Sequence, residues 1–225
     1  MCYHVSTPSK EKLKVLKPKV NFDLDPDHSG FFHVSGFVRP YLPVTINSEP
    51  DTLQLARWKL IPFWVKTEED AAKYANTLNA EGESIFEKAS YKRYVGSQRG
   101  LLYVDGFYEP HKVAGVKDTE NYFLFLPNKE VFTLGIVWAE FAGYPTFTVV
   151  TTPANPQLEI IHNEKKRMPF VVDPADREAW LHASDPLEIK SLIRPWDGEF
   201  EAHRVARVTA MRGGDTNNPD IQKEV

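Results

Sequence analysis

Four runs between Gly100 and Ala154 constrain the fold of this chain more than any other feature: GLLYVDGFYEP, NYFLFLP, VFTLGIVWAEF and PTFTVVTTPA. Each is rich in β-branched and aromatic residues, and Gly, Pro and Asn separate them, which predicts successive strands. Side chains this bulky at Cβ suit a pleated surface better than a helix, so this part of the chain has to build a sheet. Upstream, LARWKLIPFW (Leu55 to Trp64) reads as a further strand that leaves the sheet at Pro62. Thr67 followed by Glu68, Glu69 and Asp70 has the hydroxyl cap and early acids of a helix start. Asp173-Pro174 and Asp185-Pro186 open two later helices, an Asp cap followed by Pro in the first turn. Between these, Glu83 to Val95 carries Ile85, Phe86, Ala89 and Tyr94 near helical spacing and predicts an amphipathic helix. The combination predicts an α+β fold with an antiparallel, barrel-like β core and flanking helices. A length of 225 residues suits one domain, 1–225, with a loose tail expected from about 210.

Composition narrows the function classes. No apolar run reaches the roughly 20 residues that span a bilayer, and the start lacks a basic-then-apolar signal pattern, so a cytoplasmic location and no membrane partner are expected. A net charge of −4 argues against bulk coating of nucleic acid. Local basic clusters remain, Lys165-Lys166-Arg167 and Arg204, Arg207 and Arg212, each able to meet a few phosphates or to be a solvated face. A single cysteine excludes an internal disulfide and a multi-cysteine metal site, and the seven histidines lack ligand spacing, so no metal is expected. Neither glycine-rich phosphate loop occurs, so no nucleotide cofactor, or any other cofactor, is expected.

That cysteine is Cys2, directly after Met1. Aminopeptidases usually remove an initiator Met that precedes a small residue, which would leave Cys2 with a free α-amine and a thiol on adjacent carbons. The α-amine has an ordinary pKa near 7.7–8.0, so a useful fraction is nucleophilic at neutral pH. It can attack an aldehyde to give a Schiff base, and the thiol can then close on the imine carbon as a five-membered thiazolidine. An internal cysteine cannot do this, because its nitrogen is an amide. A terminal cysteine can also attack an amide or ester, and an incidental cysteine does neither.

Such a nucleophile needs a proton carrier and a donor to the developing oxygen. Glu109, in DGFYEPHK, has aromatic neighbours that can raise its pKa. His162, in EIIHNEKKRMP, precedes a basic cluster and can donate to an oxyanion or a sugar oxygen. Asn79, in TLNAEGES, can hold a substrate or the terminal amine, or simply cap a turn. Phe63 and Trp64 offer flat faces to unstacked bases, although a Trp in a strand is more often core.

Met1-Cys2, Leu60 to Trp64, Leu78-Asn79-Ala80 with Glu83, VDGFYEP with Glu109, and His162 followed by Arg167-Met168-Pro169 occur in an order that resembles the SOS response-associated peptidase (SRAP) family over nearly the whole chain. The resemblance implies an abasic-site sensor, in which Cys2 captures the open-chain aldehyde of an abasic site in single-stranded DNA as a thiazolidine crosslink. It implies that Asn79 holds the Cys2 terminus and the DNA, that Glu109 assists proton transfer, and that His162 acts on the deoxyribose oxygen. It also implies autopeptidase removal of whatever precedes the cysteine, here only Met1, and nucleoid association when DNA is bound. Pro43, Phe63, Trp64 and Thr151 resemble positions lining the family's single-strand cleft, and Lys165, Lys166 and Arg167 would meet phosphates. His4 and Glu81 stand where arginines are usual, so His4 becomes the expected DNA contact at its position. A monomer acting on DNA is the expected state. An amino-terminal cysteine amidohydrolase acting on small amides is the alternative, and a noncovalent DNA-binding module with an idle Cys2 is a third.

Overall fold

The computed structural model describes residues 2–17, 20–24, 28–208 and 216–225. The chain runs through β1 (His4–Thr7), α1 (Lys10–Leu16), β2 (Asn21–Asp23), β3 (Phe31–Ser35), β4 (Tyr41–Ile46), β5 (Glu49–Trp58), α2 (Glu68–Lys73) and β6 (Asn79–Glu81). Strands β7 (Arg99–Val104), β8 (Gly106–Lys112), β9 (Thr119–Phe125), β10 (Phe132–Phe141) and β11 (Tyr144–Pro153) follow. Then come α3 (Pro156–Ile161), β12 (Arg167–Pro169), α4 (Arg177–His182), α5 (Pro186–Leu192) and β13 (Glu201–Val205). The expected α+β class and barrel-like core are what the chain forms. Among the described residues no helix is long and apolar enough to cross a membrane.

The barrel is a ring of five strands, β11-β10-β7-β4-β5, closed by β5 returning to β11 at Arg57↔Thr146 and Trp58↔Phe147. Four of its pairings are antiparallel and the closing one is parallel. An odd number of strands cannot alternate direction all the way round, so one parallel pair is required, and closure protects the edges. Burial follows a period of two. Leu102 and Val104 of β7 and Leu134 and Ile136 of β10 join one apolar cluster, whereas Leu101, Tyr103, Val137 and Ala139 join another, with Trp180 of α4.

A second sheet, ordered β13-β9-β8-β1-β3, packs against the first cluster through Val5, Phe107 and Leu124. GLLYVDGFYEP therefore forms two strands in two sheets. Its chain changes sheet at Asp105, whose N–H donates to the Ser6 carbonyl at 2.9 Å. Gly106 permits the crossing, because a Cβ there would lie 2.5 Å from the Phe123 ring.

Two expectations fail. β5 ends at Trp58, before Pro62, and the chain turns at Lys59 with a φ of 139°. Residues 83–95 form successive turns, with Ser84 and Tyr91 carbonyls each accepting from residues three and four further on. Helical periodicity loses here to tertiary anchors: Ile85, Tyr91, Tyr94 and Val95 are buried, Ala89 is exposed, and the Tyr91 hydroxyl donates to the Asn79 carbonyl at 3.0 Å. The helices begun by Thr67 and Asp185 form, and Asp173 caps a short 3-10 turn that leads into α4. Of the tail expected to be loose, residues 209–215, including Arg212, lie outside the described residues, and 216–225 return to the second sheet, burying Ile221.

Candidate active site around Cys2

β1 lies between β3 and β8, and its register with β8 pairs Val5 with Phe107 and Ser6 with Gly106. Continued toward the amino end, that register sets Tyr3 opposite Glu109. Cys2 is a fully buried free thiol, with Sγ 3.9 Å from the His4 carbonyl. Burial, and then the Glu109 carboxylate, push the thiol pKa well above its ordinary value, so it is held protonated. The Gly36 N–H donates to the Tyr3 carbonyl at 2.8 Å and fixes the segment from the β3 side.

Glu109 projects from β8 into the same interior, and its side chain is fully buried. Neither carboxyl oxygen makes a hydrogen bond within the described residues. Burial lifts its pKa from 4.5 to about 7, so at neutral pH both protonation states are populated. His162 follows α3, a helix whose Asn155 cap accepts from Leu158 N–H at 2.9 Å and donates to the Trp196 carbonyl at 3.0 Å. Its Nδ1 is 2.9 Å from the Arg167 carbonyl and 3.3 Å from Glu109 Oε2. A carbonyl only accepts, so Nδ1 carries the proton and Nε2 of the neutral ring keeps a lone pair. Burial lowers the His162 pKa to about 4, which keeps the ring neutral around pH 7.

Asn79 enters from β6, paired in parallel with β11 at Val149. Both polar atoms of its side-chain amide are buried without a hydrogen bond in the described residues. Buried amides are ordinarily satisfied, so this one, like Glu109, is available to a bound group. One apolar cluster holds Cys2 together with Leu78 beside Asn79, Ile161 beside His162, and Met168. The structure thus brings Cys2, Glu109 and His162 to one interior, with Asn79 on its wall.

The other sequence-derived positions are arranged differently. Arg167 forms a fork on Glu83, at 2.5 and 2.9 Å, and donates to the carbonyl and hydroxyl oxygens of Thr151 at 2.8 and 3.0 Å. Its charge is matched within the protein, and Thr151 is buried beneath it. Lys165, Lys166 and Glu81 are exposed, and Pro43 is buried in β4 with no face to solvent. Phe63 and Trp64 are 46% and 41% exposed, with the Arg93 guanidinium 4.2 Å from the Phe63 ring centre. His4 bonds through Nδ1 to His33 Nε2 at 3.0 Å. Sequence reasoning missed Phe37 and Val38, 58% and 73% exposed on a 3-10 turn, with the Phe37 ring 4.9 Å from Tyr3. Two apolar residues between Gly36 and Pro40, where a turn is ordinarily polar, were the available signal.

Comparison with known proteins places the chain in a family. The chain is 29% identical over 203 residues to the abasic site processing protein YoqW of Bacillus subtilis, covering 85% of this chain and 87% of that one. It is 26% identical to the abasic site processing protein HMCES of Gallus gallus, over 82% of this chain and 61% of the relative. A crystal structure of a protein from Bacteroides thetaiotaomicron superposes with a TM-score of 0.87 at 27% identity, over the full length of both chains. The family model described as SOS response associated peptidase (SRAP) matches residues 6–210, and the chain belongs to that family.

Proposed function

We propose that this protein captures abasic sites in single-stranded DNA as a covalent adduct of Cys2, after Met1 has been removed. The observation that carries the reading is the buried Glu109 carboxyl, without a hydrogen bond and with a pKa near 7, in the interior that holds the only thiol. The relatives' name, abasic site processing protein, supports the substrate.

The Cys2 amine adds to the open-chain C1′ aldehyde, forming a C–N bond and a carbinolamine. Glu109 as carboxylate takes the amine's proton, then as carboxylic acid returns it to the departing hydroxyl, releasing one water and leaving the imine. The thiol adds to the imine carbon, its proton passing to the nitrogen, and the thiazolidine closes. Relative to amine, thiol and aldehyde the product has lost one water. Nε2 of neutral His162 accepts the C1′ hydroxyl proton as the C1′–O4′ bond breaks and the aldehyde forms, and returns that proton to the departing O4′, while Asn79 donates to the sugar or terminus. Removal of Met1 by the protein itself is the autopeptidase part of this reading.

DNA enters, in this proposal, over the apolar rim of Phe37, Val38, Phe63 and Trp64, with Lys165 and Lys166 on phosphates. The protein acts as a monomer in the cytoplasm, on nucleoid DNA. The test is a denaturing gel after incubation with a single-stranded oligonucleotide carrying one abasic site. A heat-stable adduct is expected for the wild type, none for Cys2→Ala or for protein acetylated at its α-amine, and a heat-labile one for Cys2→Ser. An adduct of undiminished heat stability in Cys2→Ser would overturn thiazolidine closure.

A further inference from the structure

His4 stands on the strand that follows Cys2, and its ring is tied into a chain that ends on the last ten residues. His4 Nδ1 and His33 Nε2 are 3.0 Å apart with the ring planes 16° from parallel, and His33 Nδ1 is 2.7 Å from Thr216 Oγ1. The segment carrying Thr216 is held independently. Asn217 Oδ1 accepts from Phe32 N–H at 2.9 Å, and Gln222 Nε2 donates to Ser6 Oγ at 2.9 Å and to the Phe32 carbonyl at 3.0 Å. Ile221 is buried beside Phe123 and Phe125. His4 Nε2 makes no hydrogen bond within the described residues, and the ring lies 6.4 Å from that of Phe37 on the exposed rim.

The proton count along this chain has two solutions. One proton lies between the two facing ring nitrogens, so the tautomers of His4 and His33 are locked to each other. If Thr216 donates its hydroxyl proton to His33 Nδ1, then His33 carries its proton on Nε2 and gives it to His4 Nδ1. His4 then carries its own proton on Nε2. If the chain runs the other way, Nε2 of His4 is a bare lone pair, which repels an anionic oxygen.

We propose that Thr216 and His33 are positioning residues that fix His4 as the Nε2–H tautomer, so that a neutral ring beside Cys2 donates a hydrogen bond to a DNA phosphate. A ring of this kind recognises phosphate at neutral pH without charge, and burial does keep both histidines neutral, with pKa values of about 4. The phosphate half of the proposal rests on the single-stranded DNA reading above; the tautomer half does not.

The experiment is 15N NMR of the imidazoles in the full chain, for wild type, Thr216→Val and Thr216→Ser, alongside binding of single-stranded DNA. Wild type is expected to show His4 protonated on Nε2, Thr216→Val to lose that preference and Thr216→Ser to restore it. DNA binding by Thr216→Val should weaken about tenfold, the loss of one charge-assisted hydrogen bond, and the Ser variant should recover. Protonation on Nδ1 in the wild type, or a Val variant with unchanged tautomers, would overturn the proposal. So would altered tautomers with undiminished DNA affinity. Tautomers that behave as stated in a protein that binds no single-stranded DNA would support the positioning chain and count against the functional reading alone.

Discussion

Replacing Glu109 with Gln will change how stability depends on pH. Burial raises the carboxyl from 4.5 to about 7. Between those values the folded chain holds a proton that the unfolded chain has released, so this group's contribution falls as pH rises through that window. At ~1.36 kcal/mol for each pH unit, the gap from 4.5 to about 7 amounts to about 3 kcal/mol, fully expressed above the folded value. Full burial means that solvent does not screen it. The wild-type profile hides the effect, because partly buried His4 and buried His33 and His162, each held at about 4, act with the opposite sign. Those rings are neutral when folded and charge when unfolded, so their contribution is lost as pH falls below 6.5. The difference between wild type and Glu109→Gln isolates the carboxyl, provided the range stays above about pH 5, where His162 is neutral in both folded proteins. Urea unfolding across about pH 5 to 9 should show the Gln variant gaining about 3 kcal/mol relative to wild type, with most of the gain below about pH 7. A difference that stays constant within ~0.5 kcal/mol would refute a raised carboxyl pKa and the proton-shuttling role built on it.

Two further substitutions test the surroundings. Glu83→Gln removes the carboxylate matched to Arg167, and should tighten noncovalent single-stranded DNA binding and steepen its salt dependence by about one counterion, measured by titration at several salt concentrations. Among the described residues buried Arg99 forms no ion pair and donates instead to the carbonyls of Val95, Trp180, Leu181 and Ala183, at 2.5 to 3.3 Å. Arg99→Met leaves those carbonyls unpaired and should cost about 3–5 kcal/mol, a fall in melting temperature of about 10 °C.

Patterns with a short period were legible in the sequence. The strands after Gly100 and the helices begun by Thr67 and Asp185 depend on neighbouring residues, and they form where expected. What depended on partners distant in sequence was not legible. Nothing in GLLYVDGFYEP announces that Asp105 is claimed by Ser6 and that the run divides between two sheets. The periodicity of 83–95 was real, yet Tyr91 and Arg99 draw the segment into turns through Asn79 and Val95. Within the candidate site, the order of motifs singled out Cys2, Asn79, Glu109 and His162, but not their depth. The basic run around Arg167 concealed the Glu83 that neutralises it, because an ion pair across 84 residues leaves no local signature. Phe37 was overlooked because its exposure is a property of the turn and of Tyr3 beneath it.

In the proposed capture both nucleophiles of Cys2 are consumed on one aldehyde. Intact mass of the adduct with an abasic oligonucleotide, followed by mapping of its amino-terminal peptide, tests it directly. The expected mass is that of the chain without Met1 plus the oligonucleotide less one water, with the sugar on Cys2 and no free thiol remaining. An adduct mapped to Lys165 or Lys166, or one that leaves the Cys2 thiol open to alkylation, would contradict it.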